Sequence, residues 1–106
     1  MITDEIKITD DWTFRHQTIP EHMRAGIELY VNRGILLGSF LRAIICNDLS
    51  AAVANADAVN MGLIPVYTAW FYNEAPSTCW GSPEKMKAWM RSKQAAAKEV
   101  SNDQGF

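Results

Sequence analysis

The chain reads as a mainly α protein, a compact bundle of about four to five short helices behind an extended N-terminal arm. Three observations predict this. Helix-start signals recur along it, with Ser, Thr or Asp set before Pro or a carboxylate. The apolar residues that follow return at three- and four-residue spacing. Glycine stands where the first apolar stripe ends, and the breaks between stripes are short. A chain of 106 residues fits one domain and one core. We divide it into an arm over 1–17, a helical domain over 18–100 and a flexible tail over 101–106.

In the arm, Ile2, Ile6, Ile8, Trp12 and Phe14 alternate weakly with charged residues. Ile6–Ile8 and Trp12–Phe14 could each form a short strand. The arm could equally lack regular structure and dock its apolar residues on the helices or on a neighbouring subunit. The first helix is expected over about 20–33. Thr18-Ile19-Pro20-Glu21 matches a capping box with Pro near the first turn. Met23, Ile27, Tyr30 and Val31 then form its inner stripe, and Gly34 behind Arg33 suits a left-handed C-terminal cap.

The second helix starts at Gly38-Ser39, with Ser39 as the expected cap. Phe40, Leu41, Ile44 and Ile45 give it a wide apolar face that should be well buried. Asp48 can cap a third helix, whose stripe is Leu49, Ala52, Val53, Ala56 and Val59. Its alanines would let another helix approach closely. Residues 65–75 are ambiguous. Pro65 to Tyr72 has high strand propensity, yet Pro sits at a plausible first helical turn and no strand partner is evident. We read a buried helix there, with a strand as the alternative. The last helix has the plainest start, Ser82-Pro83-Glu84, with Met86, Trp89 and Met90 on its inner face. Its Ala-rich continuation reaches about Val100, after which the chain should fray.

Composition narrows the function classes. A formal net charge of −2 provides no global basic field, which argues against binding duplex nucleic acid. Cys46 and Cys79 lack CxxC spacing and a nearby His, so neither zinc nor any other metal or cofactor is expected. Two reduced thiols are the expectation and a disulfide the alternative. The acidic start MITDEIKITDD is not a secretory signal, and the longest apolar run, Met61 to Tyr72, is too short to span a bilayer. A soluble cytoplasmic protein follows as the expectation.

Nothing positively indicates an enzyme. His16 and His22 are the only histidines, and neither has a partner at the spacing of a triad or a metal site. Phosphate-loop, dinucleotide-binding and nucleophile-elbow motifs are lacking. Binding is better supported. The loop Asn73–Ser82 is polar, carries Trp80 and Gly81, and leads into a helix N-terminus at Ser82, where free N–H groups can receive an anion. Trp80 could stack on a planar group, with Gly81 allowing close approach. Arg24, Arg33 and Arg42 could add charge-assisted hydrogen bonds. The candidate ligand-binding set is therefore Trp80, Gly81, Ser82, Arg24, Arg42 and Asn73. The plainer alternative is that Trp80 plugs the core, Ser82 caps the helix and the arginines are solvated. Four Trp in so short a chain also suit a protein interface, and self-association into a homo-oligomer would complete a small core.

The stretch from Ile19 to Met90 reads IPEHMRAGIELYVNRG, then GSFLRAIICNDLSAAVANAD, then FYNEAPSTCWGSPEKMKAWM. It resembles a large group of short proteins encoded in phage and prophage genomes. The resemblance covers about two thirds of the chain and rests on the HMRAGIELYV, GSFLRAIICNDL and YNEAP-plus-WGSPEK blocks in that order. The arm and the tail after Arg91 lie outside it. The group has no assigned reaction, so no catalytic residue carries over. What the resemblance implies is a setting, the host bacterial cytoplasm, and a role against host defences. Two forms are expected: a sponge that sequesters a small nucleotide-like anion, which the Trp80 loop favours, or an inhibitor docked on a host defence protein in the manner of anti-CRISPRs.

Overall fold

The computed structural model describes residues 5–36 and 38–104, with side chains to residue 96. Six α-helices and one 3₁₀ turn follow in order: α1 Glu21–Arg33, α2 Ser39–Ile45, α3 Leu49–Asn55, α4 Ala58–Met61, α5 Ile64–Glu74, the turn Ser77–Cys79, and α6 Pro83–Gln104. No strand forms among the described residues; the arm contributes one isolated bridge, between Phe14 and Gln17. Arg15 and His16, both at positive φ, make the tight turn that closes it. The strand at Ile6–Ile8 does not form because the arm pairs with side chains of α1 instead of another strand. Asn32 accepts from the Ile6 N–H and donates to the Ile6 carbonyl, both at 2.9 Å. The Glu28 carboxylate accepts from the Ile8 N–H at 2.8 Å. Met1 to Asp4, and with them Ile2, lie outside the described residues.

The start of α1 departs from the capping-box expectation. The helix begins at Glu21 behind Pro20, too late for Thr18 to cap it, and the Thr18 hydroxyl donates to the Trp12 carbonyl at 2.9 Å. Its end follows expectation. Gly34 is left-handed (φ 70°, ψ 24°) and its N–H donates to Tyr30 O at 2.8 Å. A second demand falls on the same glycine, because α6 passes against it. A Cβ there would lie 2.7 Å from Lys93 Cβ and 3.1 Å from Met90 Cα. Side chains of α6 also donate to carbonyls at the end of α1. Trp89 Nε1 donates to Tyr30 O (3.2 Å) and Val31 O (3.1 Å), and Gln94 Nε2 donates to Gly34 O (2.9 Å).

α2 buries Phe40, Leu41, Ala43, Ile44 and Ile45, as its apolar face predicts. Ser39, however, is its first helical residue and makes no cap bond; Gly38, at φ 89°, stands in the cap position. Asp48 does cap α3, accepting from the Ala51 N–H at 3.1 Å. The expected α3 stripe is corrected. The helix stops at Asn55 because Ala56 turns extended and Asp57 caps the separate single turn α4, accepting from the Asn60 N–H. Of the stripe only Ala52 is buried, while Leu49, Val53 and Val59 stand 66%, 43% and 58% exposed.

α5 is the centre of the core. Ile64, Val66, Tyr67, Ala69, Trp70 and Phe71 are all buried in it. The segment is a helix despite its strand propensity: Pro65 occupies the first turn, where its missing N–H costs nothing, and the described residues hold no strand for it to pair with. Phe40 packs edge-on to Tyr67 with ring centroids 5.3 Å apart. α6 starts as predicted, with Ser82 Oγ accepting from the Lys85 N–H at 3.1 Å. Its backbone stays helical through Gln104, beyond the expected stop near Val100; Gly105 and Phe106 lie outside the described residues.

Every buried side-chain N or O among the described residues has a partner. Tyr30 OH donates to Cys79 O and Tyr67 OH to Asn60 Oδ1, each at 2.6 Å. Burial raises both phenols well above their ordinary value and pushes the Cys79 thiol up to about 11. These groups fold in their neutral, protonated form. Their stabilisation is therefore complete below the unfolded-state pKa values and is lost as pH rises through the raised native ones. Urea melts should show constant stability from these groups up to about pH 8, then a progressive fall through pH 11. A flat profile to pH 11 would contradict the burial assigned to Cys79 and the tyrosines.

Candidate functional site

The six residues of the predicted ligand set do not come together in one place. Trp80 is half-buried and lies tilted over Phe71, with ring centroids 5.9 Å apart. The Gly81 N–H donates to Ile45 O at 2.7 Å, and the residue's φ of 116° suits only glycine. Ser82 is engaged as the α6 cap. The loop is further pinned by the Tyr30–Cys79 bond and by Lys85 Nζ near Ser77 O at 3.4 Å. Its amides at Gly81 and Lys85 thus already serve the chain's own acceptors.

Arg24 is committed elsewhere. Its Nε donates to Ile19 O at 2.9 Å and its guanidinium pairs with Asp10, fastening the arm to α1. Asn73 lies inside α5, and its Nδ2 donates back one turn to Ala69 O at 2.9 Å. Arg42 alone of the three lies close to the predicted helix start. It shares a shallow groove with Ser39, Cys46, Asn55, Pro83 and Lys87. The groove is not a one-sign field, because Asp48 lines it and Glu84 acts on Cys46 alongside Arg42, Asp48 and Lys87. Burial is the main reason the Cys46 thiol is raised; the thiol lies 3.5 Å from Met86 Sδ. Both cysteines are free, and no group of three metal-ligating side chains occurs among the described residues.

A different surface stands out. Phe14, Leu49, Ile64, Pro65, Thr68, Ala69, Tyr72 and Asn73 line an open trough between the arm, α3 and α5. Its walls are mostly apolar, and Leu49 (66%) and Tyr72 (77%) are largely exposed on it. Val53 on α3 and Val59 and Met61 on α4 are also exposed. Large apolar side chains left in water on one trough make it a candidate contact face. The helical period could not reveal them, since it marks which residues share a stripe and not whether another element covers it. One sequence signal does point there: from Ala43 to Glu84 the chain has no Lys or Arg. The flanking groups are Asp48 and Glu74, with Arg15 placed over the Phe14 ring at 5.3 Å.

No protein-family model, curated protein or solved structure matches the chain. No helix among the described residues is long and apolar enough to cross a membrane.

Proposed function

We propose that the chain is a phage accessory protein that acts by binding, docking on a host protein in the bacterial cytoplasm through the trough between the arm, α3 and α5. The observation that carries this reading is the exposure of Leu49 and Tyr72, 66% and 77%, on one apolar trough. Aromatic and aliphatic anchors of this kind dominate the energy of protein–protein contacts. The phage setting rests on the resemblance of residues 19–90. Leu49→Asp and Tyr72→Asp should leave stability within about 0.5 kcal/mol of the parent, since neither side chain is buried. Each should reduce capture of a host partner at least about tenfold, the effect of truncating a modest hot spot. Capture unchanged in both variants would refute the assignment of the face. Light scattering on the purified chain provides the control: a dimer that Leu49→Asp dissolves would assign the face to a second copy.

A second reading keeps the small phosphate-bearing ligand, now in the groove where Arg42 and Lys87 meet the start of α6. The two cations favour it; Asp48 in the same lining opposes it. Calorimetric titration with cyclic and ADP-ribose-type nucleotides tests it. Heat that disappears in Arg42→Ala supports it, and no heat across the panel removes it for those ligands.

A further inference from the structure

The surroundings of the trough carry a charge signature that narrows what it can receive. No Asp, Glu, Lys or Arg lines the trough itself. At the end of α5, however, Glu74 follows the lining residue Asn73 and is exposed. Its carboxylate accepts from the neutral Trp12 Nε1 at 3.1 Å, and no cation among the described residues pairs with it. A second source of negative potential coincides with it. The C-terminal pole of a helix carries a partial negative charge, and α5 has no basic residue in its last turn.

The hydrogen-bonding groups of the lining agree with this sign. The Thr68 hydroxyl donates to Ile64 O and Asn73 Nδ2 donates to Ala69 O, each at 2.9 Å. Thr68 Oγ1 is thereby left as an acceptor, and Asn73 keeps its Oδ1 and a single N–H. Asp48 adds a carboxylate beside the start of α5, since it lines a shallow pocket that shares Leu49, Ile64 and Thr68 with the trough. Arg42 and Lys87 share a different groove with Asp48 and line neither the pocket nor the trough. Arg15, over the Phe14 ring, belongs to the arm.

We infer that the occupant is an apolar segment of a partner protein that bears Lys or Arg, its cation set against Glu74 and the end of α5 while its apolar side chains cover Leu49 and Tyr72. Such a partner presupposes the docking face proposed above and adds to it the charge of what docks. Charge complementarity decides among the occupants. A second copy brings the same carboxylates, and residues 43–84 offer it no Lys or Arg in return before Glu84. Phosphate-rich surfaces, whether nucleic acid or anionic membrane, meet like charge at Glu74.

The test uses the full chain. A display library of random dodecapeptides is selected on the parent and counter-selected on Tyr72→Ala, which keeps only binders that use the trough. These are expected to combine apolar residues with Lys or Arg and to be poor in Asp and Glu. The strongest is then titrated by fluorescence anisotropy. Raising salt from about 50 to about 300 mM should weaken it at least about twofold. Glu74→Gln, which keeps an acceptor for Trp12, should weaken it by about two- to fivefold. Trough-dependent binders that are neutral or acidic, or indifferent to salt and to Glu74→Gln, overturn the cationic partner and leave the docking face standing. A selection without any Tyr72-dependent binder overturns it too, and host capture by Leu49→Asp then judges the face separately. A dimer that Leu49→Asp dissolves assigns the face to a second copy and likewise overturns it. Retained Tm in Glu74→Gln separates lost binding from lost fold.

Discussion

Gly34→Ala is expected to destabilise the protein by about 2–5 kcal/mol. About 1–2 kcal/mol comes from holding a Cβ-bearing residue in the left-handed region, and a further 1–3 kcal/mol from forcing apart packed elements. The second term is the distinctive one. The nearest neighbours of the added carbon are Lys93 Cβ at 2.7 Å, Met90 Cα at 3.1 Å and Met90 O at 3.2 Å, so no flexible side-chain tip can move aside. Gly34→Asn separates the two terms, because asparagine tolerates the left-handed conformation yet carries the same Cβ. Urea denaturation should place Asn within about 1 kcal/mol of Ala. If Asn recovers most of the parent's stability, α6 does not press on this turn as described.

Trp70→Ala should be still more damaging, with a loss of about 3–5 kcal/mol. Trp70 is 1% exposed and is the largest fully buried side chain of the core. It meets Phe71 edge-on at 5.2 Å between centroids. Domains have about 5–15 kcal/mol in all, and a chain this short has little reserve. The variant should therefore lose cooperative unfolding or shift its midpoint steeply downward by far-UV circular dichroism. The other indoles play different parts: Trp89 closes the end of α1, Trp12 donates to Glu74 at 3.1 Å, and Trp80 half-covers Phe71. A loss below about 1 kcal/mol at Trp70 would mean that the core is organised around other residues.

The helices were legible where local chemistry decides them. Asp48 and Ser82 cap as their spacing predicts, Gly34 ends α1, and α5 is helical because Pro65 opens it and the described residues hold no strand beside it. Thr18 and Ser39 show the limit of the same signals. A hydroxyl caps only from the residue just outside the helix, and the true start is set by what the first turn packs on. The third stripe misled because its apolar period continued through Ala56, where the backbone breaks, and onto α4, where Val59 faces water. The ligand set drew on residues whose tertiary partners the sequence does not show. Arg24 and Asn73 looked unclaimed in the sequence, whereas tertiary contact gives the first to Asp10 and Ile19 O and the second to Ala69 O.

The trough is a composite structure. One wall is helix, but the other includes Phe14, which belongs to the arm and is held by the Arg15–His16 turn and by the tie from Trp12 to Glu74. Those fastenings are side-chain bonds and one tight turn, not helical backbone. Substitutions in the arm can therefore re-cut the outline of the trough while the six helices stay as they are.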